Sequence, residues 1–147
     1  MARGESIMAI PSNVESRLSD SAWLRPRDRE IASVLAELGV APESEFAAFY
    51  AKYWGPFRSN HTGVELLDVV EQDESVLTNT RTVRGEYDFP NQFIVVSSLN
   101  AGNVVVFDIT TGKVYDVDFE GGDALLIEGN LAPSNSSWND FISEYFE

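Results

Sequence analysis

VVVFDITTGKVYDVDFEGGD, residues Val104–Asp123, alternates as a β-hairpin does, yet it holds five acidic residues and a single basic one, Lys113. Gly112 tolerates a positive φ, so Thr110-Thr111-Gly112 suits a three-residue loop with glycine in the left-handed position. That register sets Phe107 opposite Tyr115 and Val105 opposite Val117, and it gathers the odd positions, with Ile109 and Phe119, on one face. The even face then takes Asp108, Asp116 and Asp118 beside Val104, Val106 and Val114. One face is built for a core. The other carries negative charge into solvent or onto a partner.

The surrounding chain is consistent with one domain over its 147 residues, with 44% hydrophobic and 12% aromatic side chains, too apolar for a disordered chain. There is no cysteine, which removes disulfides, thiol nucleophiles and thiolate metal sites. No run approaches the roughly 18 apolar residues of a membrane span, and the opening MARGESIMAIPSN lacks the pattern of a signal peptide. The expectation is a cytoplasmic protein that does not engage membranes. The net charge of −14 is uneven: residues 1–58 carry seven basic and eight acidic side chains, residues 59–147 three basic and sixteen acidic. The second part therefore holds −13 of the charge. Such a surface argues against binding nucleic acid, whose phosphates need lysine and arginine, and favours a basic partner.

Helical periods precede the strands. Residues 1–12 read as a loose leader, and a short helix follows around Val14–Ser19. In RPRDREIASVLAELGV, Pro26 suits a first helical turn, Ile31, Val34, Leu35 and Leu38 share a stripe, and Gly39 ends the helix. PESEFAAFYAKYWGP places Phe46, Phe49, Tyr50, Tyr53 and Trp54 on the core face of a second helix, closed by Gly55-Pro56. Strands are expected in VELLDVV (64–70), QFIVVSS (92–98), the two hairpin arms and ALLIEG (124–129), with a turn at Asn100–Asn103. Residues 71–90 show no clear period and read as a long surface loop, with room for a short helix. SSWNDFISEYFE closes the chain as a helix, Ser137 its N-cap and Trp138, Phe141, Ile142, Tyr145 and Phe146 its apolar stripe. The fold class is α+β: an antiparallel-rich sheet of about four to six strands between N-terminal helices and a C-terminal helix.

Catalytic chemistry has little to stand on. His61 is the single histidine, in the loop RSNHTG, where solvation is its ordinary state. Phosphate-binding loops, nucleophile elbows and zinc motifs are missing. DVDFEGGD (Asp116–Asp123) follows a calcium loop as far as Asp116, Asp118, Glu120 and Gly121, but the twelfth place, which needs a bidentate glutamate, is Ile127. A row of carboxylates on an open sheet face lacks the cleft a glycosidase requires. Neither enzyme, cofactor nor metal is expected.

Three segments carry a family resemblance. VAPESEFAAFYAKYWGPF, FPNQFIVVSSLNAGNVVVFDITTGKVYDVDF and WNDFISEYF together resemble, in order and spacing, the SUKH superfamily of fungal cell-wall-assembly regulators and bacterial immunity proteins. The similarity covers about residues 41–146; a helix pair precedes it, and Trp54-Gly55-Pro56-Phe57 stands where an Asn-Gly-rich turn is usual. It implies an α+β domain without catalysis that binds and neutralises a cognate bacterial toxin, many such toxins being nucleases or deaminases. A basic toxin surface would meet Asp108, Asp116, Asp118, Glu120 and Asp123, the candidate contact residues. The alternative is a regulatory scaffold for cellular proteins, as in fungal members, with the acidic row a solvated sheet face.

Overall fold

Five short strands organise the described residues: β1 (Phe57–Arg58), β2 (Glu65–Leu66), β3 (Phe93–Val95), β4 (Asn103–Asp108) and β5 (Val114–Asp118). The computed structural model describes residues 9–27, 30–70, 73–99 and 102–147. In it β3, β4 and β5 form one antiparallel sheet in that order, and β1 and β2 a separate antiparallel pair. The sheet is thus smaller than the four to six strands expected. A single bridge, Leu66 to Ser97, ties the pair to the chain leaving β3. The class is α+β.

The hairpin register differs from the sequence reading by one residue. Phe107 pairs with Val114, Val106 with Tyr115, Val105 with Asp116 and Val104 with Val117. The Asp108 N–H donates to the Lys113 carbonyl, which leaves Ile109–Gly112 as the loop, one residue longer than predicted. Asp108 causes the difference: its Oδ1 accepts the Thr110 N–H at 2.8 Å, the Thr110 hydroxyl at 2.7 Å and the Thr111 N–H at 3.3 Å. The carboxylate closes the turn around itself. Gly112 takes the positive φ of 81° as foreseen.

Both faces of β4 are buried, so the expected solvent face does not exist there. Ile94, Val96, Val105, Phe107 and Val114 face a large aromatic core. Val95, Val104, Val106 and Val117 face a second, smaller one with Phe93. The first core is roofed by α1 (Ser12–Arg17), α2 (Ala32–Leu38), α3 (Glu45–Lys52) and a C-terminal helix, Trp138–Tyr145. Phe46, Phe107 and Trp138 form its centre, with ring centroids 4.7–5.4 Å apart. As predicted, the Ser137 hydroxyl caps the last helix by accepting the Asp140 N–H. The leader expected over residues 1–12 falls mostly outside the described residues, and Ser12 already begins α1. The helix expected from Pro26 begins only at Ala32, with Asp28 and Arg29 outside the described residues. The Asn100–Asn103 turn likewise falls partly outside them.

Two segments change type on the second face. Val76–Glu86, within the stretch read as a long loop with room for a short helix, is an 11-residue helix, α4, the longest among the described residues, with a Ser75–Thr78 capping box. Its buried positions are Val76, Asn79, Thr80 and Val83, a helical stripe in which two members are polar. Those two serve the outer edge of β3: Thr80 Oγ1 accepts the Val95 N–H at 3.0 Å, and Asn79 Nδ2 donates to the Ser97 carbonyl at 3.1 Å. The helix covers a sheet edge whose backbone groups would otherwise be buried without partners. Residues 124–129, read as a strand, belong to α5 (Gly122–Glu128), ended by Gly129 in the left-handed conformation. The C-terminal helix is therefore α6.

Loops are held by buried polar groups. Arg25 donates from Nη2 to Asp68 Oδ1 at 2.6 Å, with both side chains nearly solvent-free (3% and 0% exposed). Arg25 Nε also reaches the Tyr50 carbonyl, and Asp68 accepts the Gly55 and Val70 N–H groups. One ion pair thus joins the chain before α2, the end of α3 and the segment before α4. Removing one member of such a pair leaves a buried charge, at a cost of about 3–5 kcal/mol. Asp68→Ala is expected to lower the unfolding free energy by that amount in urea denaturation; a loss below about 1 kcal/mol would make the pair peripheral.

Tyr145 plays the same part on the other side. Its hydroxyl accepts the Leu66 N–H at 3.1 Å and lies within donating distance of the Val64 and Phe57 carbonyls, at 2.6 and 3.0 Å. Burial pushes its pKa up to about 12 from an ordinary 10.0. The folded state prefers the neutral phenol, so this stabilisation is complete below about pH 10 and is lost as pH rises toward 12. Tyr145→Phe should cost about 1–3 kcal/mol at neutral pH by orphaning the Leu66 N–H. The gap between wild type and variant should close above about pH 10, measured by denaturant midpoints across pH.

Candidate functional site: an acidic pocket beside a half-exposed helix

The five predicted contact residues do not form a row. By pairing and alternation Asp116 and Asp118 project to one face of the hairpin and Asp108 to the other. Asp116 is exposed, 3.3 Å from Asn103 Nδ2. Asp118 folds back on the following turn, its Oδ1 accepting the Glu120 and Gly122 N–H groups at 2.9 and 3.1 Å. Hydrogen bonds from the Gly122 and then the Glu120 backbone hold its carboxyl below the ordinary value. A Cβ at residue 122 would stand 2.9 Å from Asp118 Oδ2, so glycine lets the carboxylate pack against the start of α5. Glu120 is exposed and Asp123 half-buried in the first turn of α5. The sequence thus located the acids but not the two that the fold uses as turn caps.

The helix that Asp118 anchors is mostly uncovered. Only Gly122 and Leu126 of α5 are buried, whereas Leu125 and Ile127 are 42% and 40% exposed. They stand on the two shoulders of the helix, about 200° apart around its axis, with Ala124 and Glu128 between them. Tyr87, also exposed, lies against Phe119 (4.6 Å between ring centroids), three residues ahead of α5. Exposed aliphatic side chains amid carboxylates are what an interface core with a charged rim is made from. Sequence reasoning missed them because it took this segment for a strand.

On the Ile127 side, α5 and the sheet enclose a pocket of about 220 Å3. Its floor is three neighbouring sheet residues: Phe93, Asp108 paired with it, and Tyr115 on the same face. Phe93 and Tyr115 meet edge to face at 6.2 Å. Gln92 and the end of α5, including Ile127 and Glu128, form the walls. Asp108 is only 2% exposed, and Gln92 Nε2 donates to its Oδ2 at 3.1 Å. Burial pushes the Asp108 carboxyl up, but the hydrogen bonds from Thr110, Gln92 and Thr111 together outweigh it and keep the group below its ordinary value. Burial, and then the Asp108 charge, push the Tyr115 phenol up. The pocket floor is an ionised carboxylate at neutral pH.

His61 lies apart from this pocket's walls, its Nε2 2.8 Å from the Glu144 carbonyl at the end of α6. Among the described residues no group of three His, Asp or Glu side chains is placed to hold a metal ion. A larger groove of about 630 Å3 follows α2 and α3, walled by Ala32, Ala36, Ala47 and Ala51, in the charge-balanced part of the chain. No helix among the described residues is long and apolar enough to cross a membrane. The chain matches no protein-family model and no curated protein.

Because the folded pKa of Asp108 is depressed, its contribution to stability is present above the ordinary carboxylate range and is lost as pH falls through the folded value. Asp108→Asn is expected to be less stable than wild type at pH 7. The gap should shrink below about pH 4, read from thermal midpoints between pH 2 and 7 at about equal ionic strength. A gap that stays constant into acid would mean the charge is not what organises the turn.

Proposed function

We propose that the chain is an immunity protein that binds a cognate bacterial toxin in the cytoplasm and neutralises it by occlusion, with no chemistry of its own. The observation that carries this reading is α5: two aliphatic side chains, 42% and 40% exposed, within the part of the chain that holds −13 of the net charge. The resemblance to the SUKH superfamily supports it. A toxin that acts on nucleic acid needs a basic surface, and complementary charge speeds the encounter while the apolar centre supplies affinity. Asp116, Glu120 and Asp123 are the acids left to steer, because Asp108 and Asp118 are committed to turns.

Asp116→Asn, Glu120→Gln and Asp123→Asn together remove three charges and leave both capped turns intact. Association with the protein encoded beside this gene should slow several-fold for the triple variant at low salt. The difference should vanish as the Debye length shrinks from about 10 Å at 0.1 M to about 3 Å at 1 M. Equal rates at low salt would place the encounter surface elsewhere. If the neighbouring protein forms no complex with wild type, the immunity reading falls.

A further inference from the structure

Asp108 poses a problem of charge balance. It is a buried, ionised carboxylate, and none of the ion pairs formed by the described residues involves it. Lys113, whose carbonyl accepts the Asp108 N–H, has an exposed side chain with no ion pair to it. Hydrogen bonds make the burial tolerable but leave the charge uncancelled. They are also unevenly shared. Oδ1 accepts three donors from the turn, the third at a longer 3.3 Å and beyond its two lone pairs, whereas Oδ2 accepts one, from Gln92, and keeps its second lone pair. Glu128 adds a second negative group at the rim, and Phe93 and Tyr115 offer aromatic surface on the same floor.

We propose that this pocket receives the guanidinium of an arginine side chain presented by a protein partner. The planar cation would donate to the free side of Asp108 Oδ2, lie against the Tyr115 ring and pass its methylenes along Ile127, while Glu128 closes the rim. Arginine fits this lining better than lysine, because a flat, weakly hydrated cation can bond a carboxylate and stack on an aromatic ring at once. A second copy of this chain is a poor occupant, since its net charge of −14 opposes the approach. The inference rests on the immunity reading for the source of the arginine, and it turns the general preference for a basic partner into one anchor residue of the kind that dominates interfaces.

The probe is acetyl-arginine methylamide, with the isosteric neutral acetyl-citrulline methylamide as its control, titrated into the full chain and followed by NMR. The arginine probe should shift the Gln92 side-chain amide and the Tyr115 ring signals saturably, and the citrulline probe should bind at least about tenfold more weakly, as loss of a charge-assisted pair implies. Glu128→Gln, exposed and outside every turn cap, should weaken the arginine probe several-fold. Asp108→Asn should abolish the discrimination between probes; should that variant fail to fold, Ile127→Trp, which fills the mouth, replaces it and should block binding. No saturable shift at tens of millimolar, or equal binding of both probes, overturns the proposal. The two readings then separate. A neighbouring toxin neutralised equally well by wild type and Glu128→Gln, with no arginine probe bound, overturns the pocket and keeps the immunity function. Selective binding of the arginine probe in a chain that neutralises no neighbour keeps the pocket and removes that function.

Discussion

The side chains on both faces of β4 are withdrawn from water, and that two-sided burial sets the terms for the rest of the molecule. A strand buried on both faces must be covered on both, so helices lie on either side of a sheet only three strands wide. It must also be flanked by paired neighbours. β3 and β5 supply them, and the polar side chains of α4 then satisfy the outer edge of β3. The same constraint removes a charged face from β4. Asp108, at its end, can be buried only by becoming the acceptor for the turn that follows, and this sets the register of the whole hairpin.

Short strands leave much of the backbone in loops, and buried polar side chains do for these loops what a ladder does for a sheet. Arg25 and Asp68 hold three segments together around one ion pair. Glu74 accepts from Asn79, Ser98 and the Leu99 N–H, fastening the start of α4 to the chain beyond β3. Tyr145 reaches across to both strands of the two-stranded pair. Each of these groups would be costly if left alone in the interior, so each makes its loop's position specific. The aromatic core supplies the driving force, and the polar contacts choose among the arrangements it would allow.

The acidic residues of the C-terminal part divide by physical job. Asp68, Glu74, Asp108 and Asp118 accept hydrogen bonds that shape the chain. Asp116, Glu120, Asp123 and Glu128 have no comparable duty and remain to create the field that a partner would feel. The half-exposed α5 lies where these two groups meet, beside the pocket floored by Asp108. A surface of that kind supports recognition of a cationic protein more readily than turnover of a small substrate, which is why the immunity reading is preferred.

Much of the core was legible in the sequence because its signals are local. Phe46, Phe49, Tyr50 and Tyr53 repeat at helical spacing, Trp138, Phe141, Ile142 and Tyr145 do the same behind a serine cap, and all are buried, whereas Trp54, expected on the first stripe, lies beyond α3 and is only half-buried. The α+β class and the existence of the hairpin followed from such periods. The tertiary structure decided what periods cannot carry. α4 was hidden because its stripe includes Asn79 and Thr80, whose burial makes sense only once a strand edge lies beneath them. α5 was hidden because Ala-Leu-Leu-Ile reads equally as strand, and its helical state is set by the Asp118 cap before it and Gly129 after it. The one-sided row of Asp108, Asp116 and Asp118 was misread for the same reason. Composition determines how many carboxylates the hairpin carries, but a one-residue shift divides Asp108 from Asp116 and Asp118 across the two faces, and that shift depends on where a single carboxylate finds its donors.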